Sequence, residues 1–254
     1  PVTFLEALLN YDHLGLSAML VAFAGLVRGY TGFGFAAIAI LGLNFIWPPQ
    51  LSVPVILLLD LVGSLGLIKR ALPHADITFI KRLSTGATIG MPLGILIILF
   101  VPVAALKLAT NVFILFLTLL LSFTKKNPKK EMPIITRIVG GISGALTTAA
   151  SIGGLPLVVY LLSNPMDVKV QRGSLILFLI LTDIVSLTLL GVTGVATSEL
   201  FIPFVGLLIP TIAGVYFGQQ LFHKKPPKSF KPIALPIIAT LSISGLIINV
   251  PLAM

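Results

Sequence analysis

The first apolar region of the chain is interrupted by the stretch Arg28-Gly29-Tyr30-Thr31-Gly32-Phe33-Gly34. Glycine at every second or third position disfavours a helix and lets other groups approach the backbone closely. Apolar residues continue on both sides of this stretch, over 14–28 and 33–46. The pattern predicts two short helical arms that meet at a glycine-rich tip.

The composition of the whole chain indicates a membrane environment. Of its 254 residues, 57% are hydrophobic and 10% are charged, and the mean hydropathy is +1.10. A soluble domain usually carries about 25% charged residues. Apolar segments, many near the length needed to cross a bilayer, occur over 14–28, 33–46, 51–68, 84–101, 104–123, 134–150, 153–163, 172–190, 199–222 and 232–252. We therefore expect an all-α polytopic membrane protein with one membrane domain.

Charge and cysteine content exclude other classes of protein. The net charge is +9, but the basic residues lie in short loops between apolar segments, as orientation signals do, and not on a nucleic-acid-binding face. The chain has no cysteine, so disulfides and thiolate metal sites are excluded. Its three histidines lack metal-ligand spacing. We expect no cofactor, no metal and no nucleic-acid partner.

The second half of the chain repeats the first. Gly34 to Asn44 correspond to Gly154 to Asn164 at an offset of 120, and Asp60 corresponds to Asp183 at an offset of 123. An ordered series of matches with slowly drifting offsets is typical of a duplication with loop insertions. We predict a first repeat over 1–124, a cytoplasmic linker over 125–133 and a second repeat over 134–254.

The distribution of lysine and arginine predicts the topology. Basic loops at 69–82, 125–137 and 224–231 should face the cytoplasm, whereas loops 47–52 and 191–198 have no Lys or Arg and should face outside. Each half is then a helical hairpin plus three transmembrane helices, and the halves form an inverted repeat. The hairpin arms are short for full spans, so we expect broken or re-entrant helices whose tips meet near the midplane. Two short complete crossings per hairpin would give the same sidedness, and one long helix per hairpin is a further alternative.

The two tips carry groups that suit an anion. Arg28 has a permanent charge and a fork of donors that matches an oxyanion, and the amides at half-helix N-termini favour negative charge. Thr31 offers a hydroxyl at the first tip, and Thr147, Thr148 and Ser151 offer three hydroxyls beside the Gly153-Gly154 break at the second, of which Thr148 and Ser151 are predicted site residues. The alternative interpretations are close helix packing for the glycines and a headgroup-seeking side chain for Arg28.

Glycine-rich helices outside the tips have a simpler interpretation. Gly86, Gly90 and Gly94 follow one another at four-residue spacing, as do Gly214 and Gly218. This spacing is typical of close packing between membrane helices, and we predict that role for all five.

Three further charged residues lie in or beside the apolar segments. Asp60 and Asp183 are near the middle of their segments, where carboxylates are costly and usually functional. They could carry protons or form ion pairs with Arg28 and Arg172, or they could bond to a nearby hydroxyl. Arg172 opens its segment at the predicted cytoplasmic end, where it could meet an entering anion or anchor the helix. Trp47 is predicted to be an interfacial anchor.

Two stretches, Val27 to Phe35 and Ser143 to Tyr160, resemble the duplicated signature of the TauE/SafE sulfite exporter family of the TSUP superfamily. The resemblance covers essentially the whole chain. It implies a substrate-binding region at Arg28, Thr31, Gly32, Gly34, Ser151, Gly153 and Gly154. Leu155 departs from the family pattern, which often has two successive prolines at this point where this chain has only Pro156.

We expect a transporter, not an enzyme, that exports sulfite or a closely related sulfur oxyanion or organosulfonate by alternating access. It should be a multi-pass protein of the inner (plasma) membrane, with the bilayer and a small anion as partners, as a monomer or a homodimer. The alternatives are an uptake permease for a sulfonate or other sulfur-containing anion, a channel or adaptor, and an intramembrane enzyme for a lipid phosphate. The last has no nucleophile–base pair in the sequence to support it.

Overall fold

The computed structural model describes residues 13–123, 131–163 and 166–224, together with the single positions 236, 239 and 243. The described ranges form helices α1 (Leu14–Thr31), α2 (Phe35–Leu43), α3 (Pro49–Ala71), α4 (Ile77–Phe100), α5 (Val103–Phe123), α6 (Pro133–Ala150), α7 (Gly154–Ser163), α8 (Val168–Val192) and α9 (Phe201–Lys224), with short 3₁₀ helices at Leu72–His74 and Ser198–Leu200. Most of the predicted segment 232–252, most of the linker 125–133 and most of the loop 224–231 lie outside the described residues.

Six of these helices, α1, α3, α4, α5, α8 and α9, are long and apolar enough to cross a membrane. The helices α2 and α7 have 9 and 10 residues, which is about half of the length that a bilayer requires. Large apolar side chains such as Leu93, Phe100 and Ile209 are exposed on the outer surface, as expected where lipid replaces water. The prediction of an all-helical chain with membrane-length helices is confirmed for the described residues.

Both glycine-rich breaks are reversals of the chain. Gly32 and Gly34 have φ of 85° and 93°, a left-handed conformation that ends α1 and that glycine adopts without strain. The chain then folds back, because Gly42 in α2 lies directly against the side chain of Leu20 in α1. Ser151 makes the equivalent turn between α6 and α7 with φ of 58°. The alternative of one long helix at the first hairpin is therefore wrong.

Two helix pairs hold the halves of the chain together. α4 packs along α6, and α9 packs along α1. In each half, the helix that follows the central span (α4 after α3, and α9 after α8) therefore contacts the first arm of the hairpin in the other half. A Cβ atom on Gly90 would lie 1.9 Å from the Gly141 carbonyl oxygen, and one on Gly218 would lie 2.1 Å from the Leu26 carbonyl oxygen. Only glycine allows helices to approach this closely. The packing role predicted for these glycines is confirmed.

The antiparallel helices α3 and α8 contact each other and have differently charged ends. Residues 70–74, 169–173 and 222–223 line one cavity, and residues 48–51 and 193–200 line another. The loop at 69–82, which is predicted to face the cytoplasm, thus shares one end of the molecule with the start of α8 and the described end of α9. The two loops predicted to face outside share the other end.

Several boundaries differ from the sequence prediction. Asp167 caps α8 by accepting a hydrogen bond from the Lys169 backbone N–H at 2.8 Å, so Arg172 lies in the second helical turn and does not open the helix. Asp76 likewise caps α4, so this helix begins at Ile77, seven residues before the predicted start at 84. Trp47 is only 5% exposed and packs in the protein core. Its predicted role as an interfacial anchor is wrong, because the ring does not face lipid.

Candidate functional site

A small cavity lined largely by buried side chains lies between the two hairpin turns. Its volume is about 20 Å³, enough for roughly one water molecule, which needs at least ~10–15 Å³. The first hairpin contributes Arg28, Gly34, Ala36 and Ala37, the second contributes Thr147, Ser151, Ile152, Gly154 and Leu155, and the central helices contribute Asp60, Leu179 and Asp183. The cavity is thus built from both halves of the chain and from the α3–α8 pair.

Arg28 is the one cation among the described residues of the cavity wall, and it is fixed on three sides. The side chain is 1% exposed. Its Nη1 donates to the Gly32 carbonyl at 2.7 Å, its Nη2 donates to the Ser64 hydroxyl at 2.8 Å, and its Nε lies 3.0 Å from Asp60 Oδ1. The contact with Gly32 exists because the left-handed turn points that carbonyl back at the helix that precedes it. Arg28 therefore faces the protein interior and not a headgroup layer.

Two carboxylates share the cavity with this single cation. Asp60 is 5% exposed and Asp183 is 2% exposed. Asp60 pairs with Arg28, and Ser64, one helical turn away, lies 3.5 Å from it. One carboxylate oxygen of Asp183, Oδ2, is buried without a hydrogen-bond partner in the part of the chain that the structure describes. Such an oxygen is free to hold a proton or to contact a ligand.

The cavity also lies at the N-termini of two half-length helices. Gly34 is the N-cap of α2 and has no side-chain hydrogen bond as a cap, and Ala36 and Ala37 of its first turn line the cavity. Gly154 and Leu155 begin α7 on the opposite wall. Unpaired amides and the positive ends of the helix dipoles at such termini stabilise negative charge.

Six of the predicted site residues line this cavity, and five do not. Those on the wall are Arg28, Gly34, Asp60, Ser151, Gly154 and Asp183. Ser151 is also tied to α3, because its hydroxyl donates to the Val53 carbonyl at 3.2 Å.

At the first tip, two predicted residues have local roles. The Thr31 hydroxyl lies 2.7 Å from the Phe33 carbonyl and accepts from the Phe33 backbone N–H at 3.2 Å, so it braces the turn. Gly32 lies against the side chain of Arg172. The Nη2 of Arg172 donates to the Gly29 carbonyl at 2.8 Å, which places this arginine on the far side of the tip from the cavity.

At the second tip, Thr148 and Gly153 face neighbouring helices. The Thr148 hydroxyl lies 2.7 Å from the Ser186 hydroxyl of α8, and Gly153 packs against the Ser143 carbonyl. Thr147, which the site prediction did not include, lines the cavity in place of Thr148. A signal for this was present, since Gly140, Gly144 and Thr148 are spaced by four residues and share the face that packs on α4. Thr147 lies about 100° around the helix from that face.

The arrangement can bind and neutralise an anion but offers little for covalent chemistry. The described residues contain no group of three or more His, Asp or Glu side chains that could hold a metal ion. The groups on the cavity wall are one guanidinium, hydroxyls, helix N-termini and two carboxyls. Of these groups the carboxyls are the ones that can take up and release a proton, so the wall can couple anion binding to protonation.

Comparison with known proteins agrees with this geometry. A family profile described as "Sulfite exporter TauE/SafE" matches residues 17–245, which includes both hairpins and both central helices. Searches of curated proteins and of solved structures found no match. The match covers nearly the whole chain and accompanies six helices of membrane-spanning length and composition. The chain is a multi-pass membrane protein that belongs to the TauE/SafE sulfite exporter family, a family of transporters for sulfur-containing anions.

Proposed function

We propose that this protein exports sulfite or a closely related small sulfur oxyanion or organosulfonate across the inner membrane, by alternating access around the cavity between the two hairpin turns. The observation that carries the proposal is the buried Arg28 guanidinium on the wall of that cavity. A buried arginine is costly in a membrane interior and usually marks a functional site. The helix N-termini on the opposite walls add further stabilisation for an anion.

An inverted repeat supports alternating access. Under the predicted duplication, α1, α3 and α4 of the first half match α6, α8 and α9 of the second. The contact of α1 with α9 then corresponds to that of α6 with α4, and the contact of α3 with α9 corresponds to that of α8 with α4. Two oppositely oriented units around one site give two conformations of similar energy, each open to one side. The cavity of about 20 Å³ is too small for an anion of four heavy atoms, so the described conformation is closed at the centre.

Asp60 acts in this proposal as an internal counter-ion. Its carboxylate occupies the position beside Arg28 Nε, 3.0 Å away, that an oxyanion would need for the bidentate contact that arginine favours. Substrate and Asp60 therefore compete for the same cation. Binding of substrate displaces the carboxylate, and release of substrate lets it return.

Asp183 is the proton carrier in this proposal. With both carboxylates ionised and Arg28 charged, the formal charge of the cavity wall is −1, and a further anion would be repelled at short range. A proton on Asp183 makes the wall neutral and gives its carboxyl a donor for the anion. Each transported dianion then leaves with one proton, so that one net negative charge crosses.

The membrane potential favours export under either stoichiometry. One charge that moves through 100 mV changes the free energy by about 2.3 kcal/mol, so an uncoupled dianion gains about 4.6 kcal/mol on leaving a cell that is negative inside. This corresponds to a concentration ratio of roughly two to three thousand, and the proton-coupled form retains half of that free energy. Uptake of a dianion would require co-transport of more than two cations.

A counterflow assay in liposomes tests the proposal. Purified protein should exchange sulfite, thiosulfate or a sulfonate, and acidification of the anion-loaded side should accelerate flux. Arg28→Gln should lower flux about 10- to 100-fold, since a hydrogen bond to a charged group contributes about 1.5–3 kcal/mol. Arg82→Gln is the matched control, because Arg82 is 33% exposed and pairs with Glu131 away from the cavity. Equal flux in the two variants would remove Arg28 from the mechanism.

A further inference from the structure

A second cavity opens at the end of the molecule where α3 ends and α8 begins. Its volume is about 330 Å³, large enough for a hydrated oxyanion or a small sulfonate. Its wall carries three permanently charged side chains and two imidazoles, from Arg70, Lys169, Arg172, His74 and His223. No Asp or Glu lines it among the residues that the structure describes. We call this the basic vestibule.

Arg172 is the buried cation of the basic vestibule. It is 6% exposed, its Cζ lies 4.2 Å from the centre of the Phe222 ring, and its Nη2 is used by the Gly29 carbonyl. Its Nε has no hydrogen-bond partner within the described residues. A buried guanidinium with an unused donor is costly unless an anion or another acceptor completes it.

The opposite end of the α3–α8 pair provides an internal comparison. A cavity of similar volume, about 340 Å³, opens there and is lined by Gln50, Thr193, Thr197 and Glu199 among others. No Lys or Arg is among its described lining residues. The positive charge of the basic vestibule is therefore a property of one end and not of every cavity in the molecule.

We propose that the basic vestibule is a second anion-binding site, separate from the central cavity, for a small free dianion of the oxyanion or sulfonate class. The Arg172 donors that the Gly29 carbonyl does not use would hold the oxygens, and the exposed Lys169 and Arg70 would raise the local anion concentration. Because Arg172 also holds the first hairpin tip through Gly29, an anion bound here lies next to the wall that must open for transport. Binding at this site does not require that the central site transports.

The absence of cysteine allows a direct test. His74→Cys places a single thiol in the basic vestibule, and Thr197→Cys places one at the opposite end; both native residues are exposed. Each variant is solubilised in a non-ionic detergent and modified with an anionic (sulfonatoethyl) and a cationic (trimethylammonioethyl) methanethiosulfonate. The anionic-to-cationic rate ratio should be higher for His74→Cys. In water, one charge about 8 Å away changes each rate about 2.5-fold and in opposite directions for the two reagents, so adding Lys169→Gln should lower the ratio about sixfold.

Protection by a free anion identifies binding. Sulfate should slow modification of the His74→Cys variant by the anionic reagent more than chloride does at equal ionic strength, because a bound anion both occludes the thiol and cancels the attraction; it should not protect Thr197→Cys. Arg172→Gln should remove the protection. If this variant of a buried residue does not fold, Lys169→Gln is used in its place and should weaken the protection. Equal rate ratios at the two ends, or protection by chloride as strong as by sulfate, would overturn the proposal.

Two further arms separate this site from its competitors. The same measurements in nanodiscs of anionic lipid test a lipid headgroup as the occupant, and protection that requires anionic lipid and is absent in detergent would refute a site for free anions. Arg28→Gln in the His74→Cys background should leave sulfate protection unchanged. If Arg28→Gln loses flux but keeps sulfate protection, the central site and the basic vestibule are supported independently. If it keeps flux but loses protection, both assignments are refuted.

Discussion

Replacement of Arg28 by methionine should destabilise the protein by about 3–5 kcal/mol, the usual cost of removing one partner of a buried ion pair. The magnitude follows from the surroundings of Asp60, which is 5% exposed and keeps only the Ser64 hydroxyl at 3.5 Å once the arginine is gone. Asp60→Leu should cost a similar amount, since it leaves the guanidinium buried without its carboxylate.

The double variant should be far more stable than the sum of the single effects predicts. Removing both charges eliminates the uncompensated ion, and replacing a buried pair by apolar groups of similar volume is often close to neutral. The remaining cost is about 1–3 kcal/mol, because the carbonyl of Gly32 and the hydroxyl of Ser64 lose their donor. This non-additivity is the energetic signature of a coupled pair.

The assay measures unfolding and flux on the same four proteins. Unfolding is followed by SDS titration in mixed micelles, and flux by counterflow in liposomes. The double variant of Arg28 and Asp60 should be only about 1–3 kcal/mol less stable than the wild type and should not transport. The matched control is the half-exposed pair Arg82 and Glu131, whose removal should cost about 1 kcal/mol or less. Additive costs at Arg28 and Asp60, or wild-type flux in the double variant, would refute the role of Arg28 as the substrate's counter-charge.

Three further tests, two of them with a control substitution, address separate parts of the structure. Gly90→Ala should prevent close packing of α4 on α6 and lower the unfolding midpoint strongly, because the new Cβ would lie 1.9 Å from a main-chain oxygen. Its control is Gly66→Ala, where the new Cβ would meet nothing within 4 Å and should stabilise the protein by about 0.5–1 kcal/mol. Gly32→Ala and Gly194→Ala should each destabilise the protein by about 1–2 kcal/mol, because alanine is strained in the left-handed conformation. Only Gly32→Ala should also lose flux, because its Cβ would meet the Arg172 side chain at 2.8 Å. Equal losses of flux in the two variants would contradict this. Asp183→Asn should make counterflow insensitive to an imposed pH gradient, and a retained pH dependence would show that another group carries the proton.

Much of the fold could be predicted from local chemistry. The breaks at Gly32–Gly34 and at Ser151–Gly153 follow from residues that end helices, and the apolar lengths on either side follow from the membrane. The starts of α4 and α8 were placed too late because hydropathy marks the apolar part of a helix. Capping by Asp76 and Asp167 starts each helix upstream of charged residues, Lys81 and Arg82 in α4 and Lys169 in α8, where the hydropathy pattern is interrupted.

The candidate site was harder to predict because it depends on how each helix is rotated about its own axis. Arg28, Asp60 and Asp183 could be selected from sequence alone, since any charge in an apolar segment is conspicuous. Thr147 and Thr148 could not be separated by polarity. Their difference comes from the glycine contact with α4, which fixes the rotation of α6 and turns Thr148 towards Ser186.

In the proposed mechanism, the position of Arg28 between an internal carboxylate and the cavity lets one residue serve both stability and transport. In the closed conformation the guanidinium is neutralised by Asp60 at 3.0 Å, so the hairpins can pack around it without a bare charge in the interior. An anion that arrives from either side must break this pair, and it can do so only by offering equivalent oxygens to the same nitrogens. A neutral solute of the same size offers no such replacement and would leave both charges unpaired. Selection for negative charge therefore follows from the cost of separating the pair, and the packing of the hairpin tips is left to determine which anion fits.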